Sequence, residues 1–170
     1  RQMAVWLNLG RTLHESPGRR LDAREPLERT VALGEEELKV NPRDAALLER
    51  AAAGADALIH LAALPTPLLA SAYETFAINT QATFTALEAA GVAGMGRVVI
   101  ASSISQLGLP YSPVPISPIA APIDDRHPNI GVDPYALSKE VDERTLATMH
   151  RRHGYQAVAL RISGVAPVAF

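Results

Sequence analysis

The chain contains no cysteine, which excludes disulfides, thiolate nucleophiles and cysteine-ligated zinc or iron–sulfur sites. It has no excess of either charge: 16 Lys and Arg against 18 Asp and Glu leave a net charge of −2. There is therefore no electrostatic footprint for nucleic acid or an anionic membrane surface. Its basic clusters, Gly18-Arg19-Arg20 and His150-Arg151-Arg152-His153, are short and read as solvated helix ends. A long apolar run is also missing. The richest stretch, Ala55 to Ala72, is broken by Asp56, His60, Pro65 and Pro67 and cannot serve as a membrane span. The first twenty residues turn polar too soon for a signal peptide. With the absence of cysteine, this makes a cytoplasmic location the expectation. No internal repeat or low-complexity tract interrupts the chain.

What is present suits one soluble domain: 170 residues, 48% hydrophobic and 20% charged, enough for a single core. Three short apolar runs, Asp56–Ala62, Arg97–Ser103 and Gln156–Ile162, have the near-continuous hydrophobicity of parallel strands covered on both faces. Weaker strands are expected at Glu37–Val40 and Arg19–Asp22. Helical patterns lie between them. Pro42–Ala53 ends at Gly54. Leu68–Ala90 places Leu69, Tyr73, Phe76, Phe84 and Leu87 at helical spacing and stops at Gly91. Pro134–His153 has Asp133 as N-cap, proline at the first helical position and Gly154 as terminator. Alternating strands and helices predict an α/β fold with a Rossmann-like, doubly wound parallel sheet. The proline-rich stretch Leu107–Gly131 is too long for a tight connection and is expected to be functional or mobile.

Ligands of such sheets sit beyond the C-terminal ends of the strands. The residues there are His60-Leu61-Ala62-Ala63, Ser102-Ser103 and Ile162-Ser163-Gly164. Small residues at two of these edges leave room for a flat cofactor. Beside them, Tyr135 and Lys139 stand four apart and so share one helical face. A tyrosine with an ordinary pKa of about 10 is a poor base at neutral pH. A neighbouring ammonium favours the phenolate and would lower that value. Ser103 is placed to hold a substrate oxygen while Tyr135 moves the proton. Plain alternatives stand beside each residue: a strand-end cap for Ser102 and Ser103, a satisfied core histidine for His60, and a surface or capping amide for Asn79.

The order of these segments resembles the extended short-chain dehydrogenase/reductase family, also called the NAD-dependent epimerase/dehydratase family. The resemblance is carried by "ADALIHLAA", "INTQATFTALEAA", "RVVIASSISQLG", "DPYALSKEVDE" and "VALRISGV", in family order from about Val40 to Val165. It implies Tyr135 as general acid/base and Lys139 as the residue that lowers its pKa and holds the nicotinamide ribose. It implies Ser103 on the substrate oxygen and Asn79 supporting the lysine through a water. Leu61, Ala62, Ala63 and Ile162 would line the cofactor, Asn41 would meet the adenine, and Asp22 the adenosine ribose. Asp22 favours NAD over NADP, because a carboxylate repels a 2′-phosphate. Arg24 nearby works against that preference. The implied activity is hydride transfer on a sugar, nucleotide sugar or related hydroxy or keto compound. A homodimer through helices 68–90 and 134–153 is expected.

The sequence departs from the family pattern at both ends. In the glycine-rich phosphate turn, Gly10 takes the third glycine, while Ala4 and Leu7 stand at the first two and leave almost no room for a first strand. The chain ends at Phe170, before the substrate lobe of the family would begin. The expected organisation is therefore one domain, with a degenerate cofactor-loop region over 1–35, a core over 36–165 and no substrate lobe. The competing expectation is an inactive Rossmann-like fragment that serves as a binding or dimerisation module.

Overall fold

The computed structural model describes residues 2–6, 48, 49 and 52–163. Four parallel strands, β1 (Gln2–Trp6), β2 (Ala55–His60), β3 (Arg97–Ser103) and β4 (Gln156–Ile162), form one sheet in the order β1-β2-β3-β4. Helix α1 (Ala72–Val92) joins β2 to β3, and α2 (Pro134–His153) joins β3 to β4. A 3-10 helix, Ile104–Leu107, leaves the end of β3. Leu48, Glu49 and Ala52 are helical, within the helix expected before Gly54. The strands expected at 19–22 and 37–40 lie outside the described residues.

Two expectations need correction. A first strand does form: Ala4, aligned by sequence with a phosphate-turn glycine, lies inside β1 in register with Leu58. Five residues are enough because a neighbouring strand supplies their hydrogen-bond partners. The second concerns α1, which begins at Ala72 rather than Leu68 and does not stop at Gly91. Ser71 starts it with a capping box: its hydroxyl accepts from the Glu74 amide, and the Glu74 carboxylate accepts from the Ser71 amide. Its aromatic spacing does not mark its buried face. Tyr73 and Phe84 are exposed, while Thr75, Asn79, Ala82, Thr83, Ala86, Leu87, Ala89 and Ala90 are buried. These small side chains let α1 approach α2 closely. Gly91 continues that face, since a Cβ there would overlap the His153 ring.

Helix α2 follows its sequence signals. Asp133 caps the Ala136 amide at 2.8 Å, and Gly154 ends the helix with φ +78°. The basic cluster at its end is not merely solvated, because Arg152 and His153 both bond Glu88 of α1 at 2.9 Å. Both helices cover the sheet face that carries Leu58, Val98 and Ile100, in a core that includes Leu48, Ala52, Leu87, Leu146, Met149 and Tyr155. Leu58, Leu87, Val98 and Ile100 are almost fully buried, each worth roughly 2 kcal/mol of apolar burial. No helix is long and apolar enough to cross a membrane, among the described residues. The C-terminal ends of β2, β3 and β4 meet the start of α2 at one edge, and the site lies there.

Candidate active site

Ser102 and Ser103 end the same strand, yet their partners differ completely. The Ser102 hydroxyl donates to Glu143 Oε1 at 2.6 Å and accepts from Gln106 Nε2 at 2.5 Å. Gln106 also donates to Glu143 Oε1 at 2.7 Å, and Arg161 of β4 clasps both carboxylate oxygens at 2.9 and 2.8 Å. Burial opposes ionisation of Glu143, but the hydrogen bonds from Arg161, Ser102 and Gln106 hold its carboxyl below the usual range. Ser102 thus belongs to a structural lock joining β3, the 3-10 helix, α2 and β4. Ser103 instead donates to Ser105 Oγ at 3.0 Å and accepts from the Ser105 amide at 3.1 Å, and it lies near enough to the Tyr135 phenol to favour its ionised form.

Tyr135, in the first turn of α2, is 8% exposed. The Lys139 ammonium lies 5.8 Å from its ring centroid. The structure therefore brings Ser103, Tyr135 and Lys139 together. The electrostatics correct the expectation of a lowered tyrosine pKa. Burial pushes the Tyr135 phenol up; Ser103 opposes this, and Tyr111, Asp142 and Asp133 reinforce it. The physical reason is where the lysine charge is held: Nζ donates to the Ala101 carbonyl at 3.0 Å and to Asp142 Oδ2 at 3.3 Å. The tyrosine faces an ion pair, not a free cation.

Asn79 is fully buried, and its amide bonds directly to the loop after β2 and to α2. Its oxygen accepts from the Leu64 amide at 2.7 Å, and its nitrogen donates to the Leu64 carbonyl at 3.2 Å and to Ser138 Oγ at 3.0 Å. Ser138 in turn donates to the Tyr135 carbonyl at 2.8 Å. Asn79 thus ties the loop after β2 to the first turn of α2 and fixes that loop relative to Tyr135. His60 is a core histidine, as in the plain alternative, but only half satisfied: its buried Nδ1 has no hydrogen-bond partner among the described residues. It lies against Thr83 Oγ1 at 3.2 Å, and burial, with the Lys139 charge, pushes its pKa down to about 3, so the ring is neutral.

Leu61, Ala62 and Ala63 are half-buried at the end of β2, and Ile162, in register with Ser103, is 37% exposed. The small, partly open Ala62 and Ala63 positions fit a flat ring laid across the strand ends. Gly10, Asp22, Asn41 and Gly164 lie outside the described residues. The stretch 107–131 runs over the surface. Its far end is pinned where the Ile130 and Gly131 amides donate to the Gln106 carbonyl at 2.8 and 2.9 Å. Tyr111 reaches the site, its ring edge-on to Tyr135 at 6.1 Å.

Sequence reasoning missed Tyr111, Ser105, Ser138 and Asp142. Only Asp142 had a signal, its i+3 spacing from Lys139, and that spacing ordinarily means a solvated surface pair.

A parallel α/β sheet with serine, tyrosine and lysine converging at its C-terminal edge defines a Rossmann-like oxidoreductase class. The chain belongs to the NAD dependent epimerase/dehydratase family, whose sequence model matches residues 8–166. It is 31% identical over 92 residues to a UDP-glucose 4-epimerase of Rhizobium leguminosarum bv. trifolii, covering 54% of this chain and 26% of that protein. Its fold matches a short-chain dehydrogenase/reductase superfamily protein from Agrobacterium tumefaciens with bound NAD (TM-score 0.61, 30% identity, 71% of this chain and 35% of that one). It also matches a dTDP-glucose 4,6-dehydratase from Streptomyces venezuelae with bound NAD (TM-score 0.60, 31% identity, again 71% and 35%). The chain spans about a quarter to a third of the length of these relatives.

Proposed function

We propose that these residues form the proton-transfer half of an NAD-dependent epimerase, dehydratase or dehydrogenase acting on a sugar, nucleotide sugar or related hydroxy or keto compound. The observation that carries this reading is the buried Tyr135 beside Ser103, with the Lys139 ammonium 5.8 Å from its ring centroid. The nicotinamide cofactor, NAD or NADP, supplies the hydride acceptor or donor. Leu61, Ala62, Ala63 and Ile162 would line it, and Lys139 would hold its ribose. The described residues fit such a group because Ala62 and Ala63 leave space at the strand ends.

Within this chain, Ser103 holds the substrate oxygen and Tyr135 exchanges a proton with it. With its phenol protonated at neutral pH, the resting site is set to donate to a carbonyl oxygen. Accepting a proton from a hydroxyl would need the Lys139 charge closer to the phenol oxygen. Tyr111 packs the tyrosine from the loop side and keeps water from that flank. In the full-length protein, Tyr135→Phe is expected to lower turnover by roughly 10²–10⁴-fold while leaving the NAD dissociation constant within about threefold, read by calorimetric titration. Turnover within tenfold of wild type would overturn the assignment.

A second element of the reading is self-association through α1 and α2. Its support is the exposure of Tyr73 and Phe84, eleven residues apart on one face of α1, and of Leu137 on α2. It would hold with or without catalysis, as in a binding or dimerisation module. Sedimentation of Phe84→Glu beside wild type tests it, a monomeric wild type being the contrary result.

A further inference from the structure

Lys139 and Asp142 are 4% and 1% exposed, an ion pair almost wholly out of water. Removing two charges from solvent is costly, and the proton transfer described above needs only one of them. Along α2, Tyr135 stands one turn before Lys139 and Asp142 three residues after it, so the carboxylate draws the ammonium away from the tyrosine. The Ala101 carbonyl receives the ammonium at 3.0 Å on that same side. From α1, the Thr83 hydroxyl faces the Asp142 carboxyl and also meets His60.

We propose that Asp142 is a positioning residue for Lys139, holding its ammonium against the Ala101 carbonyl and screening its charge from the Tyr135 phenol. The proposal rests on reading Tyr135 and Lys139 as the proton-transfer pair. Among the described residues, no other countercharge serves. Among the groups packed around the pair, α1 offers the uncharged Asn79 and Thr83, and β2 a neutral His60. Strand β3 offers the Ala101 carbonyl and Ser103, and the loop offers Tyr111. On α2, Asp133 is occupied as the N-cap and Glu143 is clasped by Arg161. A carboxylate 3.3 Å from the ammonium turns a point charge into a dipole, whose field falls off faster with distance than that of a lone charge. Burial raises the pKa of Asp142, and the Lys139 charge and the Thr83 hydroxyl pull it back.

The test is pH titration of the tyrosine ring carbons by NMR on ¹³Cζ-tyrosine-labelled protein, with Tyr135→Phe assigning the Tyr135 signal. Asp142→Asn keeps a hydrogen-bond acceptor and removes the charge; it is expected to lower the Tyr135 midpoint by about one pH unit. Asp142→Glu, which keeps the charge, should leave the midpoint close to wild type. Adding Lys139→Met to Asp142→Asn should abolish the downward shift. An unchanged or raised midpoint in folded Asp142→Asn would overturn the proposal. One measurement needs no variant: a through-hydrogen-bond coupling between Lys139 ¹⁵Nζ and Asp142 ¹³Cγ is expected in wild type, and its absence would also overturn it. None of these readouts uses turnover or cofactor. Failure of NAD to bind would count against the proposed function and leave this result standing.

Discussion

The last two residues of β3 are both serines, and the two sides of the strand end put them to opposite uses. On the Ser102 side, four elements close around one carboxylate that accepts four hydrogen bonds, from Ser102, Gln106 and two nitrogens of Arg161. On the Ser103 side, the polar groups are a phenol, an ammonium and a carboxyl, in order along α2 from Tyr135 through Lys139 to Asp142. The first arrangement pairs its carboxylate fully and makes stability, although Arg161 Nη1 and Gln106 Oε1 are buried without a partner among the described residues. The second leaves its titratable groups poised by burial, and so makes a site whose behaviour depends on pH. Chemically identical side chains acquire different roles because neighbouring strand residues point to opposite faces.

The comparison can be broken at its largest expected effect by acid. His60 has a folded-state pKa near 3, well below that of the unfolded chain. Its neutral burial contributes full stability above about pH 6.5, and that contribution is lost as pH falls toward 3. By linkage this is about 3 kcal/mol between pH 7 and pH 4. His60→Gln keeps a partner for Thr83 and should flatten that slope in urea denaturation measured across this range; a slope equal to wild type would show that the histidine is not buried neutral.

Next in size is the lock. Glu143→Ala should cost about 3 kcal/mol, because it leaves Arg161 partly buried without its carboxylate. The Tyr135 midpoint in the tyrosine NMR titration should move by no more than a few tenths of a unit. A large shift of that midpoint would mean that the two sides are not separate.

The smallest effects give the sharpest contrast between the serines. Ser102→Ala should lose about 1 kcal/mol of stability and leave Tyr135 unchanged. Ser103→Ala should also cost about 1 kcal/mol, because Ser103 caps the 3-10 helix through the Ser105 amide, but it alone should raise the Tyr135 midpoint, since Ser103 is what opposes its upward shift. Equal midpoint shifts from the two variants would erase the distinction.

Local signals in the sequence determined a good deal. The bounds of β3, β4 and α2 follow from apolar runs, from Asp133 and Pro134 at the start of α2 and from Gly154 at its end, all features that act within a few residues. The pairing of Tyr135 with Lys139 is equally local, one turn of helix apart. Helix α1 was harder to read. Its large aromatics suggested a buried stripe, while its real inner face is alanine, threonine and asparagine, because close approach to α2 favours small side chains over hydrophobic ones. Only the tertiary structure decided which serine faces the tyrosine, that Asn79 holds Leu64 and Ser138, and that Lys139 belongs to an ion pair. Each depends on side chains brought together from distant parts of the chain, where burial and a nearby countercharge set the ionisation. Spacing along the sequence can put Tyr135 and Lys139 on one face. It takes the packing of α1, β3 and α2 around Asp142 to decide how much of the lysine charge the tyrosine feels.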